Sequence, residues 1–457
     1  MTLVDAVNDV AREFPDLPAI VIPGEGTTTY YELASMVRTL SYEVRNSYRA
    51  GTIGLNLGTA VEYVGSFLAC LDIGYNVVPF PPRMSDKTRR IIEADMGLTG
   101  VLNEKPKVVG IGSRSVARGP QGSVIYMTSG SYGSHKFVTR SADNLLDEAR
   151  SVASHLDLGL GMNVLVTTPL EHSFGCGMLR AILYAGATLY TWSGESFLDK
   201  LTSFKPILPS MDVITGVPYV FRRLLHGWTE GAPLKAQCYA GGETVQTSLS
   251  SEWLATTGRP LCQEYGLSET GIVTFSSPGD PPESIGRPTD GAYVSISDDE
   301  LVVYRPHLPD KYYFGESPET FRNGGVRTGD LGRLEDGLLY LTGRRKSIII
   351  VAGMKAFPGE IEAAICEFDV EAGIEAVVMS VPDERTGERP YAFVSSRGNG
   401  IDTSLLRQWL KSQLESYKLP KVIHYIEENE WPRTASGKVD REALREHVFR
   451  AKGGRLV

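Results

Sequence analysis

The stretch that decides the reading of this chain is Thr128-Ser129-Gly130-Ser131-Tyr132-Gly133-Ser134-His135-Lys136. It follows the β-rich stretch Val124–Met127 and precedes a second short β-rich stretch, so we predict a loop between two strands. Glycines let backbone N–H groups approach an anion closely, hydroxyl groups add donors, and the lysine adds a positive charge. It is not the Walker pattern, because no Gly-Lys-Ser/Thr opens a helix here. The loop is a candidate phosphate site, although such a loop taken alone is more often a flexible turn.

The sequence around this loop alternates between helical and strand patterns. Apolar residues recur at helical spacing from Leu145 to Leu156, whereas Val164–Thr168 and Asp212–Thr215 are short β-rich stretches. Such alternation predicts layered α/β structure. A chain of 457 residues also exceeds the size at which single cores stop growing, so we expect two or more domains.

A domain boundary is predicted near Arg344. The predicted elements around it are a strand at Leu338–Thr342, a strand at Ile348–Val351, a helix opened by Phe357-Pro358-Gly359-Glu360, strands at Val377–Val381 and Ala392–Ser395, and an amphipathic helix from Leu405 to Leu414. We therefore predict an α/β protein with a large N-terminal layered α/β domain, residues 1–343. A hinge at residues 344–346 would join it to a small mobile α+β C-terminal domain, residues 347–457.

Composition excludes several classes of protein. The formal net charge of −9, with lysines and arginines scattered, argues against nucleic acid as the main partner. No apolar run approaches membrane-spanning length, and acidic residues near the N-terminus exclude a signal peptide. The five cysteines are too far apart for a metal knuckle or a CxxC pair, which favours reduced, mostly buried thiols. We expect a soluble cytoplasmic protein, either a monomer or a homodimer.

Further motifs follow the loop in a fixed order. They are Gly241-Gly242-Glu243, Glu264-Tyr265-Gly266-Leu267-Ser268-Glu269-Thr270, Arg327-Thr328-Gly329-Asp330, Gly343-Arg344-Arg345-Lys346, Gly353 with Pro358-Gly359-Glu360-Ile361-Glu362, and Pro432-Arg433-Thr434-Ala435-Ser436-Gly437-Lys438-Val439-Asp440-Arg441. In this order the set closely resembles the adenylate-forming superfamily of AMP-dependent synthetases and ligases. That superfamily comprises acyl- and aryl-CoA synthetases, adenylation domains of non-ribosomal peptide synthetases, and beetle luciferases. The resemblance covers nearly the whole chain.

The resemblance implies an ATP site. The implied ATP-binding residues are Thr128, Ser129, Gly130, Ser131, Gly133, Lys136, Gly242, Glu243, Glu264, Tyr265, Gly266, Ser268, Asp330 and Arg344. The loop would hold the β- and γ-phosphates, Tyr265 would lie against the adenine, and Ser268 would donate to the α-phosphate. Asp330 and Arg344 would contact the ribose, and Glu269 would bind Mg²⁺, a hard cation that prefers oxygen ligands. Each of these roles has an ordinary structural alternative. Tyr265 could be a core tyrosine, Glu269 a solvated surface glutamate, and Gly329-Asp330 a simple turn.

The resemblance also implies a catalytic lysine and a moving domain. Lys438 would bridge the substrate carboxylate and the α-phosphate while pyrophosphate departs, so catalysis would be mainly positioning and cationic stabilisation. By itself, a lysine after Ser-Gly is more often a surface turn. Rotation about Lys346 would then withdraw Lys438 and bring Gly353 beside a pantetheine arm. Attack by the thiol would give a thioester and AMP.

The acid pocket is implied by Pro169-Leu170-Glu171-His172-Ser173-Phe174-Gly175, which looks like the His-Ser-Phe-Gly type common in acyl-CoA synthetases. The implied substrate-binding residues are His172, which is also a catalytic candidate, Phe174, Gly175, Gly241, Gly266 and Leu267. A structural histidine is the alternative for His172. Amino-acid-activating relatives carry an aspartate where this chain has Gly175, so α-amino acids are disfavoured because an unpaired buried ammonium is costly. Asp212 or another acid could substitute for that aspartate.

Two departures and several alternatives stay open. Tyr132 and His135 stand where the family usually has threonine and proline, and the chain is shorter than most members. The implied partners are ATP, Mg²⁺, a small carboxylic acid of acyl or aryl type, and coenzyme A. A separate carrier protein with a phosphopantetheine thiol is the alternative acceptor, and amide-forming or light-emitting activities use the same motifs. A catalytically inactive nucleotide-binding scaffold is the alternative from another class.

Overall fold

The computed structural model of the protein describes residues 1–80, 89, 92–93, 96–103, 121–128, 136–194, 197–225, 228, 234–309, 311–314, 319–370, 372–383, 385–397, 400–434 and 437–451. Most of the predicted phosphate loop, with Ser129, Gly130, Ser131, Tyr132, Gly133 and His135, lies outside the described residues. The described part has mixed α/β structure, which confirms the predicted fold class.

The described α-helices begin mostly at the caps and prolines that the sequence provides. They are α1 (Leu3–Glu13), α2 (Tyr30–Ser47), α3 (Ala60–Asp72), α4 (Ala142–His155), α5 (Ser173–Ala185), α6 (Leu201–Phe204), α7 (Pro218–Leu225), α8 (Thr247–Thr257), α9 (Pro358–Cys366), α10 (Thr403–Gln413) and α11 (Arg441–Ala451). Thr2 and Thr29 cap α1 and α2 with reciprocal capping boxes, and Pro358 opens α9 as predicted. None of these helices is long and apolar enough to cross a membrane.

The described strands belong to three sheets. They are β1 (Pro18–Ile22), β2 (Gly26–Thr29), β3 (Thr52–Asn56), β4 (Asn76–Pro79), β5 (Gly100–Asn103), β6 (Val124–Thr128), β7 (Lys136–Arg140), β8 (Asn163–Val166), β9 (Thr188–Tyr190), β10 (Val213–Gly216), β11 (Gln237–Gly241), β12 (Leu261–Leu267), β13 (Gly271–Phe275), β14 (Ser284–Pro288), β15 (Tyr293–Ser297), β16 (Glu300–Tyr304), β17 (Tyr312–Phe314), β18 (Phe321–Arg322), β19 (Gly325–Glu335), β20 (Leu338–Arg344), β21 (Ile349–Val351), β22 (Met354–Ala356), β23 (Glu375–Asp383), β24 (Gly387–Ser395) and β25 (Val422–Tyr425).

The largest sheet positions the candidate site. Its order is β15-β16-β19-β20-β14-β13-β12-β11-β10-β8-β9-β1-β2, with β18 paired to β19. The run β9-β8-β10-β11-β12 is parallel, so β8, β10, β11 and β12 all end at one edge, here called the carboxyl edge. Ligands of open α/β sheets bind at this kind of edge. The motif at Gly241 and the motif at Glu264 therefore meet there.

The second sheet, β17-β7-β6-β4-β3-β5, carries the ends of the predicted phosphate loop. Strands β6 and β7 form an antiparallel hairpin in which Thr128 is the register partner of Lys136. The two residues that flank the loop are therefore adjacent, as the sequence pattern predicts for a strand–loop–strand unit.

The third sheet, β22-β21-β24-β23 with β25 beside β24, belongs to the C-terminal part of the chain. Helices α9 and α10 pack on it, and residues such as Ile361, Val394 and Leu406 form a core of its own. This confirms the elements predicted after Arg344, where β20 ends. A turn of 3-10 helix, Arg345–Ser347, connects the two parts at the predicted hinge. The swing about that hinge stays a prediction.

A cluster of buried charges ties the two larger sheets together. Glu148 on α4 lies between Arg140 on β7 and Arg180 on α5, and Arg180 also donates to the hydroxyl of Tyr126 on β6. The side chains of Glu148, Arg140 and Arg180 are all essentially inaccessible. Burial alone would raise the pKa of Glu148, but the charges of Arg140, Arg180 and Arg305 lower it to about 2. The carboxylate is therefore ionised and holds the surrounding arginines. The five cysteines are free and buried, as predicted.

Candidate active site

Lys438 of the C-terminal part reaches the carboxyl edge of the largest sheet. Its side chain lies against Gly242, directly after β11, so that a Cβ atom on Gly242 would lie 2.7 Å from both Cε and Nζ of Lys438. The backbone N–H of the next residue, Val439, donates to Oε1 of Glu243 at 3.0 Å. Burial lowers the pKa of Lys438, while the charges of Glu243 and Glu264 oppose that shift. The chain thus brings together the two motifs in which Lys438 and Glu243 were predicted.

Polar contacts hold the C-terminal part in this position. Glu375 on β23 pairs with Arg222 of α7 at 3.2 Å and with Arg433 at 2.6 Å. Arg222 also donates to the carbonyl of Gly373 at 3.2 Å, and the Arg433 guanidinium lies 3.3 Å from the ring centroid of Tyr219. Lys438 is therefore placed by a bridge of opposite charges between the two parts of the chain.

Two acids and a histidine surround Lys438. Burial raises the pKa of Glu264 to about 8, although the charge of Lys438 opposes that shift. Burial also raises the pKa of Glu243, again against the charge of Lys438. For His172, burial and the charge of Lys438 both act in the same direction and lower its pKa to about 4. His172 is therefore neutral near pH 7 and offers hydrogen bonds without adding a second positive charge.

The segment around His172 lies at the same carboxyl edge. It follows β8, and His172 is the N-cap of α5, with its backbone N–H donating to the carbonyl of Pro169 at 3.2 Å. Gly175 on the first turn of α5 is buried against backbone, because a Cβ atom there would collide with the Pro169 carbonyl and lie 3.0 Å from the Thr168 oxygen. Phe174 is half-buried and packs on the main core. An aspartate at Gly175 does not fit this arrangement.

Asp212 lies at the opposite edge of the sheet. It directly precedes β10, and its Oδ2 accepts a hydrogen bond at 2.8 Å from the backbone N–H of Asn163, the first residue of β8. Its Oδ1 pairs with Lys235 at 3.0 Å. The hypothesis that Asp212 supplies the acid missing at Gly175 is therefore wrong, because strands β8 and β10 begin where Asp212 lies and end at the site.

The residues predicted around the ribose form one hydrogen-bonded unit. Asp330 on β19 and Arg344 on β20 are register partners, and Nε of Arg344 donates to Oδ1 of Asp330 at 2.5 Å. The hydroxyl of Tyr265 donates to Oδ2 of Asp330 at 2.9 Å. Burial and the Asp330 charge raise the pKa of Tyr265, so the phenol stays protonated and keeps this donor. Each Asp330 oxygen retains a further lone pair for a ligand.

The candidate magnesium ligand lies next to the end of the phosphate loop. Glu269 is in the turn after β12, and its Oε1 accepts a hydrogen bond from the Tyr312 hydroxyl at 2.7 Å. Nζ of Lys136 lies 4.8 Å from the centroid of the Tyr312 ring. Burial and the charge of Lys346 lower the pKa of Lys136, while the charge of Glu269 raises it. The hinge candidate Lys346, the loop lysine and the acid are thus electrostatically coupled.

A magnesium ion fits Glu269 in one particular way. Among the residues that the structure describes, no group of three or more histidine, cysteine or acidic side chains is arranged to hold a metal ion. A single carboxylate does suit Mg²⁺, which usually takes one or two carboxylates together with phosphate oxygens and water. Glu269 is half-buried beside Lys136, so its carboxylate is available at the position where the phosphates would lie.

Comparison with known proteins decides the family. Residues 113–309 match the family model of the AMP-binding enzymes, and residues 360–438 match the AMP-binding enzyme C-terminal domain. A 2-succinylbenzoate–CoA ligase of Geobacillus sp. (strain WCH70) is 30% identical over 359 residues, which is 73% of this chain and 70% of that protein. The chain belongs to the AMP-binding enzyme family. The resemblance to adenylate-forming enzymes is thereby confirmed.

Other AMP-binding enzymes agree with this assignment. A 2-succinylbenzoate–CoA ligase of Listeria monocytogenes is 33% identical over 345 residues, covering 71% of this chain and 69% of that protein. The o-succinylbenzoate CoA synthetase of Bacillus subtilis, in complex with its acyl-adenylate intermediate, has the same fold. Its TM-score is 0.81 at 24% identity, with 96% of this chain and 97% of that chain covered.

Within this AMP-binding enzyme, the structure separates the predicted site residues into three groups. The first lies at the carboxyl edge around Lys438, namely His172, Phe174, Gly175, Gly241, Gly242, Glu243 and Glu264. The second runs from Tyr265 through the turn with Gly266, Leu267, Ser268 and Glu269 to Asp330, Arg344 and Lys136. The third is Gly353 alone, which lies in the exposed turn between β21 and β22, where no atom of the described residues comes within 4 Å of a Cβ built on it. The roles of the individual residues stay predictions.

Sequence reasoning missed two residues of this region. Tyr312 holds Glu269 and covers Lys136, but it comes from β17, a three-residue strand that only the pairing with β7 brings to the site. Glu171 precedes His172, and burial raises its pKa to about 7. No sequence signal distinguishes Tyr312 from other tyrosines. Glu171 could have been predicted from the sequence, because it belongs to the pocket motif Pro169–Gly175.

Proposed function

We propose that this protein activates a small carboxylic acid with ATP to an acyl-adenylate and then transfers the acyl group to coenzyme A. The observation that carries the proposal is the position of Lys438 on Gly242. A lysine from the C-terminal part lies half-buried at the carboxyl edge, beside neutral His172 and close to two acids. A structural lysine would gain more by remaining in water, because burial of an ammonium without a tight partner is costly.

In the first half-reaction, a carboxylate oxygen of the acid would form a bond to the α-phosphorus of ATP. The bond between the α-phosphorus and the bridging oxygen would break, and pyrophosphate would leave with the electron pair. Lys438 would lie between the carboxylate and the α-phosphate, where its charge stabilises the crowded oxygens more in the transition state than in the ground state. His172, held as the N-cap of α5, would orient the carboxylate through a hydrogen bond.

The nucleotide would be held by the unit that Asp330 organises. Asp330 would accept hydrogen bonds from the ribose hydroxyls, since Arg344 and Tyr265 fix both of its oxygens. Lys136 would lie at the outer phosphates, and Glu269 would hold Mg²⁺, which supplies charge neutralisation on the phosphate oxygens when bound. Tyr312 would keep the Glu269 carboxylate oriented for that role.

In the second half-reaction, the thiol sulfur would form a bond to the acyl carbon while the bond to AMP breaks. AMP would leave with the electron pair, and the thiol proton would be released to solvent. Lys438 has no role in this step, so the contact of Glu375 with Arg222 would break as the C-terminal part rotates, whereas the contact of Glu375 with Arg433 lies within that part and would move with it. Coenzyme A is the proposed acceptor because the curated relatives are named as CoA ligases.

The test is acid-dependent exchange between ATP and pyrophosphate over a broad acid panel, followed by mass spectrometry with and without coenzyme A. Exchange with at least one acid and a CoA thioester product are expected. A thioester that forms only on a supplied phosphopantetheinyl carrier protein would replace coenzyme A as the acceptor. Measurable ATP binding without any exchange would instead indicate a nucleotide-binding scaffold.

A variant of the lysine separates the two half-reactions. Lys438→Ala should slow adenylation on the order of a hundred- to a thousand-fold, as loss of a key electrostatic donor does. Thioester formation from a pre-made acyl-adenylate should suffer much less. Equal damage to both half-reactions would contradict the domain rotation.

A further inference from the structure

A cavity of about 310 Å³ lies beside α4, and none of the residues that line it belongs to the candidate active site. Side chains of α4 form one wall, and the turns before β15 and after β16 form the other. Its volume is at the lower end of the range for small-molecule sites. We call it the α4 cavity. The residues that give it its character are Asp147, Arg150, Ser154, Asp290 and Arg305.

The most deeply buried charge of the α4 cavity is Arg305, which is only 7% exposed. Its Nη2 donates to Oγ1 of Thr289 at 2.7 Å, and its Nη1 donates to the carbonyl of Thr270 at 3.4 Å. Its Nε is buried as well, yet it has no hydrogen-bond partner in the part of the chain that the structure describes. Buried donors normally have a partner. A buried cation in the wall of the cavity thus has a donor still to offer.

The positive charge around Arg305 is balanced incompletely. Three buried arginines, Arg140, Arg180 and Arg305, share the carboxylate of Glu148. Burial and the charge of Arg140 lower the pKa of Arg305 to about 10, against the opposing charges of Glu148 and Asp147. Charges inside a protein are only weakly screened. A ligand that brings a negative charge to Arg305 would therefore relieve this imbalance.

The acids of the α4 cavity lie at its rim and already have partners. Oδ2 of Asp147 lies 2.9 Å from Nδ1 of His307, and Oδ2 of Asp290 accepts a hydrogen bond from the Ser154 hydroxyl at 3.0 Å. Both acids are at least partly exposed, and water and salt screen exposed charges much more than buried ones. These acids therefore oppose an anion in the cavity less than Arg305 attracts it.

A second cation stands at the rim. Arg150 is exposed on α4, and its guanidinium lies 5.9 Å from the centroid of the Tyr184 ring. It forms an ion pair with no acid among the residues that the structure describes. A guanidinium presents its N–H donors in a planar fork that matches carboxylate and phosphate oxygens, and stacking on a ring leaves that fork available. The α4 cavity thus combines one buried and one exposed arginine with donors to spare.

We propose that the α4 cavity binds one small oxyanion, a carboxylate or a phosphate, which accepts hydrogen bonds from Nε of Arg305 and from the guanidinium of Arg150. Charge-assisted hydrogen bonds of this kind are about twice as strong as neutral ones. A cation would instead meet two arginines, and an uncharged molecule would leave the buried donor and the excess positive charge as they are.

A bound anion would also act on the candidate active site through Arg305. The hydrogen bond from Nη1 of Arg305 reaches the carbonyl of Thr270, and Thr270 directly follows Glu269. At 3.4 Å this bond is long, so an anion that draws Arg305 to itself would weaken it further. The turn with Ser268 and Glu269 would then be held less firmly, and the KM for Mg·ATP would rise. This effect rests on the proposed function, whereas the binding itself does not.

The test is isothermal titration calorimetry of the whole chain with inorganic phosphate and, separately, with acetate at constant ionic strength. The active site is first filled with the Mg²⁺ complex of an ATP analogue that has a methylene bridge between the α- and β-phosphorus, so that the added anion cannot take the place of the ATP phosphates. Saturable binding of one anion per chain is expected. The ratio of the two affinities identifies the oxyanion as phosphate-like or carboxylate-like.

Arg150→Gln should weaken this binding at least about tenfold, because a hydrogen bond between charged groups is lost. Arg305→Lys keeps the charge but removes the Nε donor and should weaken the binding as well. Arg12→Gln is the matched control, since it removes an exposed arginine from α1 with the same change in net charge, and it should leave the affinity unchanged. In ATP–pyrophosphate exchange, the anion should raise the KM for Mg·ATP several-fold in the wild type and in Arg12→Gln, and this rise should be lost in Arg150→Gln.

Arg150 is exposed, so its variant decides the matter even if Arg305→Lys fails to fold. No binding of either anion, or equal affinity in the wild type and in Arg150→Gln, would overturn the anion site. Binding without any change in the KM for Mg·ATP, or an equal rise of KM in Arg150→Gln, would overturn the link to adenylation. Absence of exchange with every acid would overturn the proposed function, while calorimetry would still decide the anion site.

Discussion

Replacing Gly242 by alanine tests whether Lys438 works where the structure places it. Gly242 has φ +80, and a Cβ atom there would approach Cε and Nζ of Lys438 to 2.7 Å. Ordinary contacts between such atoms are about 3.5–4.0 Å, so the lysine terminus would have to move by about 1 Å. The lysine end is flexible and moves more easily than the backbone of β11. We therefore expect Gly242→Ala to displace the Lys438 ammonium rather than to disrupt the sheet.

Two effects of this substitution differ in size and can be separated. Forcing alanine into the left-handed region costs about 1–2 kcal/mol of stability. A displacement of about 1 Å at a reacting centre costs up to roughly a hundredfold in rate. Adenylation by Gly242→Ala should therefore be about ten- to a hundredfold slower. Thioester formation from a pre-made acyl-adenylate should be nearly unchanged, because Lys438 would have left the site by then under the proposed domain rotation.

Gly258→Ala is the matched control for the backbone effect. Gly258 follows α8 with φ +70, and within the described part of the chain no atom lies within 4 Å of a Cβ built there. Both variants should lower the thermal-denaturation midpoint by a similar amount, but only Gly242→Ala should slow ATP–pyrophosphate exchange. Equal exchange rates for the two variants at saturating ATP and acid would refute the placement of Lys438 on Gly242.

Three further substitutions test other parts of the site and the fold. Asp330→Asn removes the charge that holds Arg344, so the KM for ATP should rise about tenfold or more and the preference for ATP over 2′-deoxy-ATP should shrink in exchange assays. Glu375→Gln weakens both arginine contacts of that residue, so adenylation should slow several-fold while the thioester step from a pre-made adenylate does not, in rapid-quench measurements. Glu148→Gln leaves buried arginines without a counter-charge and should destabilise the protein by about 3–5 kcal/mol near pH 7 in urea unfolding. The pKa of Glu148 is lowered to about 2, so its contribution is present above about pH 4.5 and the difference between the two proteins should vanish as the pH falls through 2.

The sequence predicted those features that depend on local pattern. The helix opened by Pro358 and the strands on either side of Arg344 follow from residue types and spacing over a few positions. The order of the motifs also located Asp330 and Lys438, since each sits in a recognisable short stretch. These elements needed no knowledge of how distant parts of the chain meet.

The sequence did not predict at which edge of a sheet a side chain lies or which distant residue it contacts. Asp212 and Glu264 are both acids associated with strands of the same sheet, yet Asp212 lies where β10 begins, whereas Glu264 lies within β12 opposite Gly241, where β11 ends. Strand direction, which decides between them, depends on the crossover connections and not on the residues themselves. Tyr312 reaches Glu269 only through the pairing of β17 with β7, a contact between segments far apart in the chain.

The contacts that place Lys438 are polar, and this is compatible with a C-terminal domain that moves during the reaction. The C-terminal part is held to the rest of the chain by the ion pair of Glu375 with Arg222 and by the hydrogen bond from Val439 to Glu243, and these are polar interactions. Polar contacts between domains exchange with water at small net free energy, whereas a large apolar interface would not. Partial desolvation of the Lys438 ammonium also disfavours this arrangement until a carboxylate and a phosphate pair with it. Substrate would thus hold the domain in place for adenylation, and loss of pyrophosphate charge would release it for the second step.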